Sequence, residues 1–153
     1  LIAELARKNG FSTVRDLYRS AGREKFQACE EKAAKLLAEA TERRSILAAL
    51  GGGTVENSAA MHLLNPKGRL IYLRVEEEEL YRRIAASGIP PFLEGERDPW
   101  ELFRELYAKR SRLCEQWADE IVTLPLQSME ANAELLHSRI CTIIDGREET
   151  NGG

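Results

Sequence analysis

Residues 69–86, RLIYLRVEEEELYRRIAA, carry the reading of the fold. The first seven, Arg69 to Val75, crowd Leu, Ile, Tyr and Val into a run too short for a helix, which is the pattern of a buried strand. Glu76 to Glu79 follow at once. Four carboxylates suit the first turn of a helix, where unpaired backbone amides favour negative charge. A strand therefore passes directly into a helix that runs to about Ala86.

Beyond it the pattern breaks. Gly88, Pro90, Pro91 and Gly95 exclude regular structure from Ser87 to Arg97. Phe92 and Leu93 make this an apolar loop of the kind that closes over a ligand. Asp98-Pro99 then opens a helix, Asp as cap and Pro at the first helical position. It reaches about Trp117, with Trp100, Phe103, Leu106, Tyr107, Leu113 and Cys114 inward. Glu120 to Leu124 reads as a short strand, and Ser128 caps a last helix to about Ile144. Residues 145–153 are polar and expected to form a flexible tail.

On the other side of Arg69, Asn65 to Gly68 is a turn, and Asn57 or Ser58 caps a short helix to Leu64. Ser45 to Leu50 is a compact apolar run, expected to be a buried strand delivering the chain into Gly51-Gly52-Gly53. A long amphipathic helix from about Arg23 to Ala40 puts Phe26, Cys29, Ala33, Leu36 and Leu37 on one face. Ser12 caps a helix from Thr13 to Ser20, and Asn9-Gly10 stops one from Leu1 to Lys8. Strands alternating with helices predict an α/β fold, a three-layer parallel sheet with helices on both faces. Three strands are few for such a sheet, and the chain opens at Leu1 in helical pattern without a cap. Both point to missing upstream residues.

The 153 residues are 43% hydrophobic with a net charge of -3. That supports one domain, residues 1–144, expected to be a monomer. Acids and bases are interspersed, so no basic stripe marks a nucleic-acid partner. No stretch approaches the roughly 20 apolar residues of a membrane span, and no signal peptide is evident. A cytoplasmic location is expected. Cys29, Cys114 and Cys141 lack the spacing of a zinc site or a disulfide framework. His62 and His137 read as structural residues on helix faces.

Three glycines at a strand's carboxyl end let a ligand or another group approach closely, at the edge where α/β sheets bind ligands. In order, the chain shows Gly22-x-x-x-Phe26-x-x-x-Glu30, a predicted strand into Gly51-Gly52-Gly53, the strand at Arg69, and Arg82-Arg83. The loop PPFLEG, Asp98-Pro99, Leu106-Tyr107-x-x-Arg110-x-x-Leu113 and Ala118-Asp119-Glu120-Ile121-Val122 follow. This series resembles the shikimate kinases, P-loop kinases that phosphorylate a small hydroxy acid with ATP and magnesium. The resemblance implies that Gly51, Gly52 and Gly53 line the acceptor pocket. It implies that Arg83 packs on the adenine, that the loop from Gly88 to Gly95 is a lid, and that Arg110 is a basic position in the helix after the lid, able to serve phosphates of the nucleotide. Arg110 could equally pair with Glu105 or Asp119.

The departures from the family are as specific. The chain has no G-x-x-x-x-G-K-[ST] phosphate loop. The resemblance places that loop, and the first two strands, before Leu1. With the central strand absent, a gap is expected between the strands at Ser45 and Arg69, and poor stability unless those two pair directly. No kinase activity is expected of this chain alone. Gln27 and Gln116 stand where the family usually has arginines that bind the substrate carboxylate, and Pro90 stands where a lid arginine touches phosphates. Arginine grips a carboxylate by two charge-assisted bonds that glutamine and proline do not supply. Arg23, Lys25, Arg97 and Arg112 are the nearby candidates to compensate. The alternative reading is a catalytically degenerate, ligand-sensing domain. Glu76 to Glu79 read as a solvated helix start, and Trp100, Tyr107 and Trp117 as core.

Overall fold

The computed structural model describes residues 1–150. Helix α1 (Ile2–Lys8) ends where Asn9 turns its side-chain amide onto the Leu5 carbonyl at 2.7 Å and Gly10 takes a left-handed φ of 83°. Only glycine adopts that conformation cheaply. Helix α2 (Val14–Thr41) is capped by Thr13, whose hydroxyl accepts from the Asp16 amide at 3.0 Å. The predicted cap, Ser12, lies one residue too early. The two helices expected on either side of Gly22 form one element, broken by that residue's φ of 77°.

The buried face of α2 is rotated from the one the apolar pattern predicts. Leu17, Glu30, Ala34 and Ala38 are buried, while Leu36 is 41% exposed. Small alanines let helix α3 (Ser58–Leu64) approach closely, and Ala34, Ala60 and Leu64 form the core there, with Leu37 against it.

Strand β1 (Ile71–Arg74) pairs in parallel with β2 (Glu120–Thr123), in the register Ile71 to Glu120 through Arg74 to Thr123. Helix α4 (Glu77–Ala86) follows β1 after only Val75 and Glu76, as its sequence dictates. Helix α5 (Pro99–Trp117) starts at Asp98, which accepts from the Trp100 amide. Tyr81 of α4 packs on Trp100 and Phe103 of α5 with ring centroids 4.9 and 5.2 Å apart, and Tyr107 hydrogen-bonds the Val75 carbonyl at 2.9 Å. Phe103 is buried, with Tyr81, Trp100 and Tyr107 half-buried around it; Trp117 lies apart, edge-on to His62. Helix α6 (Met129–Thr150), capped by Ser128, continues past Ile144. Residues 145–150, expected to lie in a flexible tail, are helical. Residues 151–153 lie outside the described residues.

One expected strand is absent. Ser45 to Leu50 forms no ladder, and among the described residues the sheet has two strands. Leu47 is 83% exposed and Leu50 39%. The segment does not pair with β1, the arrangement on which stability was expected to depend. An apolar run becomes a strand only when a neighbour takes its backbone hydrogen bonds.

Candidate functional site

The chain turns sharply after Leu50. The Thr54 amide donates to the Gly51 carbonyl at 2.9 Å, and a 3-10 helix spans Thr54–Glu56. Beneath this turn lies Glu30, 6% exposed. It accepts from the Thr54 hydroxyl at 2.9 Å and from the Asn57 amide at 3.4 Å. The Asn57 amide also donates to the Gln27 carbonyl at 3.0 Å, and its oxygen caps α3. A buried carboxylate is tolerated because hydroxyl and amide donors replace its water. Glu30 thereby ties α2 to the turn that leaves the glycine triplet.

The turn presents Glu56 to three cations. Its Oε1 accepts from Arg110 Nε at 2.8 Å, and its Oε2 from Lys109 Nζ at 2.5 Å and Arg23 Nη2 at 3.3 Å. Its side chain is only 9% exposed. Burial alone would raise its pKa, but the hydrogen bonds and charges of Lys109 and Arg110 outweigh that and hold it below the usual carboxylate range. Arg110 is wedged between two surfaces. A Cβ on Gly53 would lie 3.2 Å from its Nη2, and its guanidinium sits 5.4 Å from the Phe92 ring centroid. Gly53 permits this close approach, and what approaches is the arginine.

Around this cluster a cleft of about 370 Å³ is bounded by α2, the turn, α5 and Phe92 of the loop. Gln27, Gly53 and Arg110 all line it, together with Arg23, Glu30 and Lys109. Gln116 lies elsewhere, in a second cleft of about 470 Å³ that shares Glu56 and Lys109 with the first. The ion pair Glu56–Lys109 is therefore part of the wall between the two glutamines. Gly51 and Gly52 are exposed on the approach to the turn, and a Cβ on Gly52 would meet nothing within 4 Å.

Of the residues assigned to nucleotide, Arg110 lines the first cleft and Arg83 and Pro90 do not. Arg83 is on α4 and donates to Glu79 at 2.6 Å, as Arg82 does at 2.8 Å. Those two arginines hold Glu79 down to a pKa of about 2. Pro90 is buried at the start of the loop, its carbonyl accepting from the Leu93 amide. Arg110 pairs with neither Glu105 nor Asp119: Glu105 takes Arg97, and the Asp119 carboxylate takes the Leu70 amide. Of the candidates to compensate, Arg23 enters the cleft and Arg97 is engaged by Glu105.

Sequence reasoning missed Glu56, Lys109 and the burial of Glu30. Two signals were available: a carboxylate three residues past the triplet, and a second base beside Arg110.

Three comparisons bear on this arrangement. A family model described as shikimate kinase matches residues 3–141. The chain is similar to the shikimate kinase of Haemophilus influenzae strain KW20/Rd, 29% identical over 131 residues, 86% of this chain and 69% of that protein. It is 31% identical to the shikimate kinase of Pasteurella multocida strain Pm70 over 124 residues, 81% of this chain and 67% of that one. Among solved structures, the shikimate kinase from Acinetobacter baumannii in complex with shikimate matches with a TM-score of 0.76 at 24% identity, over 94% of this chain and 75% of the other. That likeness shows the fold, the α/β architecture of the P-loop kinases.

Proposed function

This chain belongs to the shikimate kinase family, and from that premise we propose that its cleft is the acceptor site of a kinase-type phosphotransferase acting on shikimate or a related small hydroxy acid. One observation carries the reading. Gln27, Gly53 and Arg110, distant in sequence, line a single cleft beneath an apolar loop. Donors of both kinds needed for such a ligand face it: neutral amide for hydroxyls, and cations for an acid group. Phe92, 42% exposed and in contact range of Arg110, is the loop residue positioned to cover a bound acceptor.

The residues present do not fit ATP and magnesium, the cosubstrate and metal the family implies. The chain holds no G-x-x-x-x-G-K-[ST]. Among the described residues, no group of three His, Cys, Asp or Glu side chains is placed to hold a metal ion. Arg83 is engaged by Glu79, and Pro90 has no donor to offer. We therefore propose that these 153 residues bind acceptor without transferring phosphate. A second reading, a ligand-sensing domain without catalysis, rests on the neutral residues Gln27, Pro90 and Gln116.

The test has two arms. Millimolar shikimate is expected to raise the melting temperature, because a ligand that binds only the folded state stabilises it. ADP release from ATP and magnesium is expected to be absent with or without shikimate. No thermal shift at any shikimate concentration would remove the acceptor assignment. Shikimate-dependent ADP release would refute inactivity, and turnover by any longer chain containing these residues would exclude the sensor.

A further inference from the structure

Resting on the acceptor-site reading, we propose that Glu56 competes with the acceptor's acid group for Arg23, Lys109 and Arg110, and so determines how strongly the cleft accepts an anion. The three cations are the ones lining the cleft, and all three point to this one carboxylate at 2.5 to 3.3 Å. Glu56 is in effect an internal ligand. It is nearly buried, it accepts through both oxygens, and it stays charged at neutral pH.

The charge balance points the same way. The lining residues carry three positive charges, on Arg23, Lys109 and Arg110, against three carboxylates, Glu30, Glu56 and Glu105. Among the described residues the lining is formally neutral, with Glu105 itself paired to Arg97 outside the lining. An entering carboxylate must share or take over donors that Glu56 holds, and meets Glu56 as a like charge within the same cluster. Removing that single charge leaves the cleft net cationic, whether or not the acceptor displaces the side chain. Arg110, with its side chain 26% exposed, lies between Gly53 and the Phe92 ring and is the least exposed of the three cations. Arg23 and Lys109, with side chains 59% and 54% exposed, are free to move toward a ligand. The Glu56–Lys109 pair also forms part of the wall between the clefts of Gln27 and Gln116.

The experiment is calorimetric titration of shikimate, and of its uncharged carboxamide analogue, into the wild-type chain and the Glu56→Gln variant. Glutamine keeps the shape and one acceptor for Arg110. Shikimate affinity is expected to rise by about tenfold or more in Glu56→Gln, since like-charge juxtaposition is costly, with the carboxamide changed less than about twofold. Equal shikimate affinity in both proteins overturns the inference and leaves the acceptor site standing. Equal tightening of both ligands also overturns it, because the effect would then be space and not charge. Binding of neither ligand to either protein overturns the acceptor-site reading and the inference with it. Should Glu56→Gln fail to fold, Lys109→Gln provides the converse: at an exposed position it should weaken shikimate several-fold and spare the carboxamide. Unchanged shikimate affinity there contradicts the proposal equally.

Discussion

Gly51 to Gly53 joins two stretches of opposite character. Before it, Ser45 to Leu50 is apolar, unpaired and largely exposed. After it, Thr54 to Asn57 is polar, yet Thr54 and Asn57 are buried and Glu56 is fixed by three cations. Hydrophobicity alone would predict the reverse. The difference lies in partners. The polar turn finds Glu30, Gln27, Lys109 and Arg110 on two helices already packed in place, whereas the apolar run has no neighbouring strand to complete a ladder. β1 and β2 show the same rule from the other side: each is only four residues long, and each is a strand because it has the other.

The contrast can be broken most sharply by truncating one apolar side chain on each side. Met61, 1% exposed on the helix that follows the turn, should cost about 2–5 kcal/mol when changed to alanine. Leu47→Ala, at 83% exposure, should stay within about 0.5 kcal/mol of wild type. Urea unfolding midpoints check both. A large loss at Leu47 would mean that the apolar segment is packed after all.

The glycines offer a finer version. Gly52→Ala adds a methyl to open space and should be neutral or stabilising by about 0.4–1 kcal/mol. Gly53→Ala drives a Cβ to 3.2 Å from Arg110 and should weaken shikimate binding while stability moves little, because the far end of the arginine can shift. If both variants bind shikimate like wild type, Gly53 does not position Arg110.

Acid should act on the turn before it acts on the surface. The folded-state pKa of Glu56 lies below its ordinary value of 4.5. Its contribution to stability is therefore complete above about pH 5 and is lost as pH falls through the folded value. Glu56→Gln should flatten the stability profile below about pH 5, measured by unfolding at fixed ionic strength. The smallest effect belongs to Glu79. Its pKa of about 2 comes from Arg82 and Arg83 on an exposed helix face, where solvent screens the pair, so Glu79→Gln should leave the melting temperature unchanged. An equal flattening by both variants would erase the distinction between turn and surface.

Much of the fold was legible because its signals are local. Asn9-Gly10, Asp98-Pro99, Ser128 and the glutamates after Val75 each act through their own backbone, and each ended or began a helix where its chemistry required. The order of strands and helices gave the α/β class, and the series of motifs from Gly22 to Val122 carried the family resemblance. What could not be read was tertiary. Leu36 is more apolar than Ala34, yet Ala34 is buried, because the closeness of α3 decides the face. Arg110 had carboxylates nearer in sequence than Glu56, and nothing in the spacing selects one 54 residues away. Nothing in the series Gly22-x-x-x-Phe26-x-x-x-Glu30 tells that Glu30 is buried, because its donors Thr54 and Asn57 come from another element.

The central claim is that the acceptor binds between α2, the turn after the triplet and α5. Amide chemical-shift mapping during a shikimate titration tests it directly. The account predicts the largest changes at Gln27, Gly53, Glu56, Lys109 and Arg110, with Arg83 and α4 unmoved. Changes centred on α4, or spread evenly over the surface with no saturation, would contradict it.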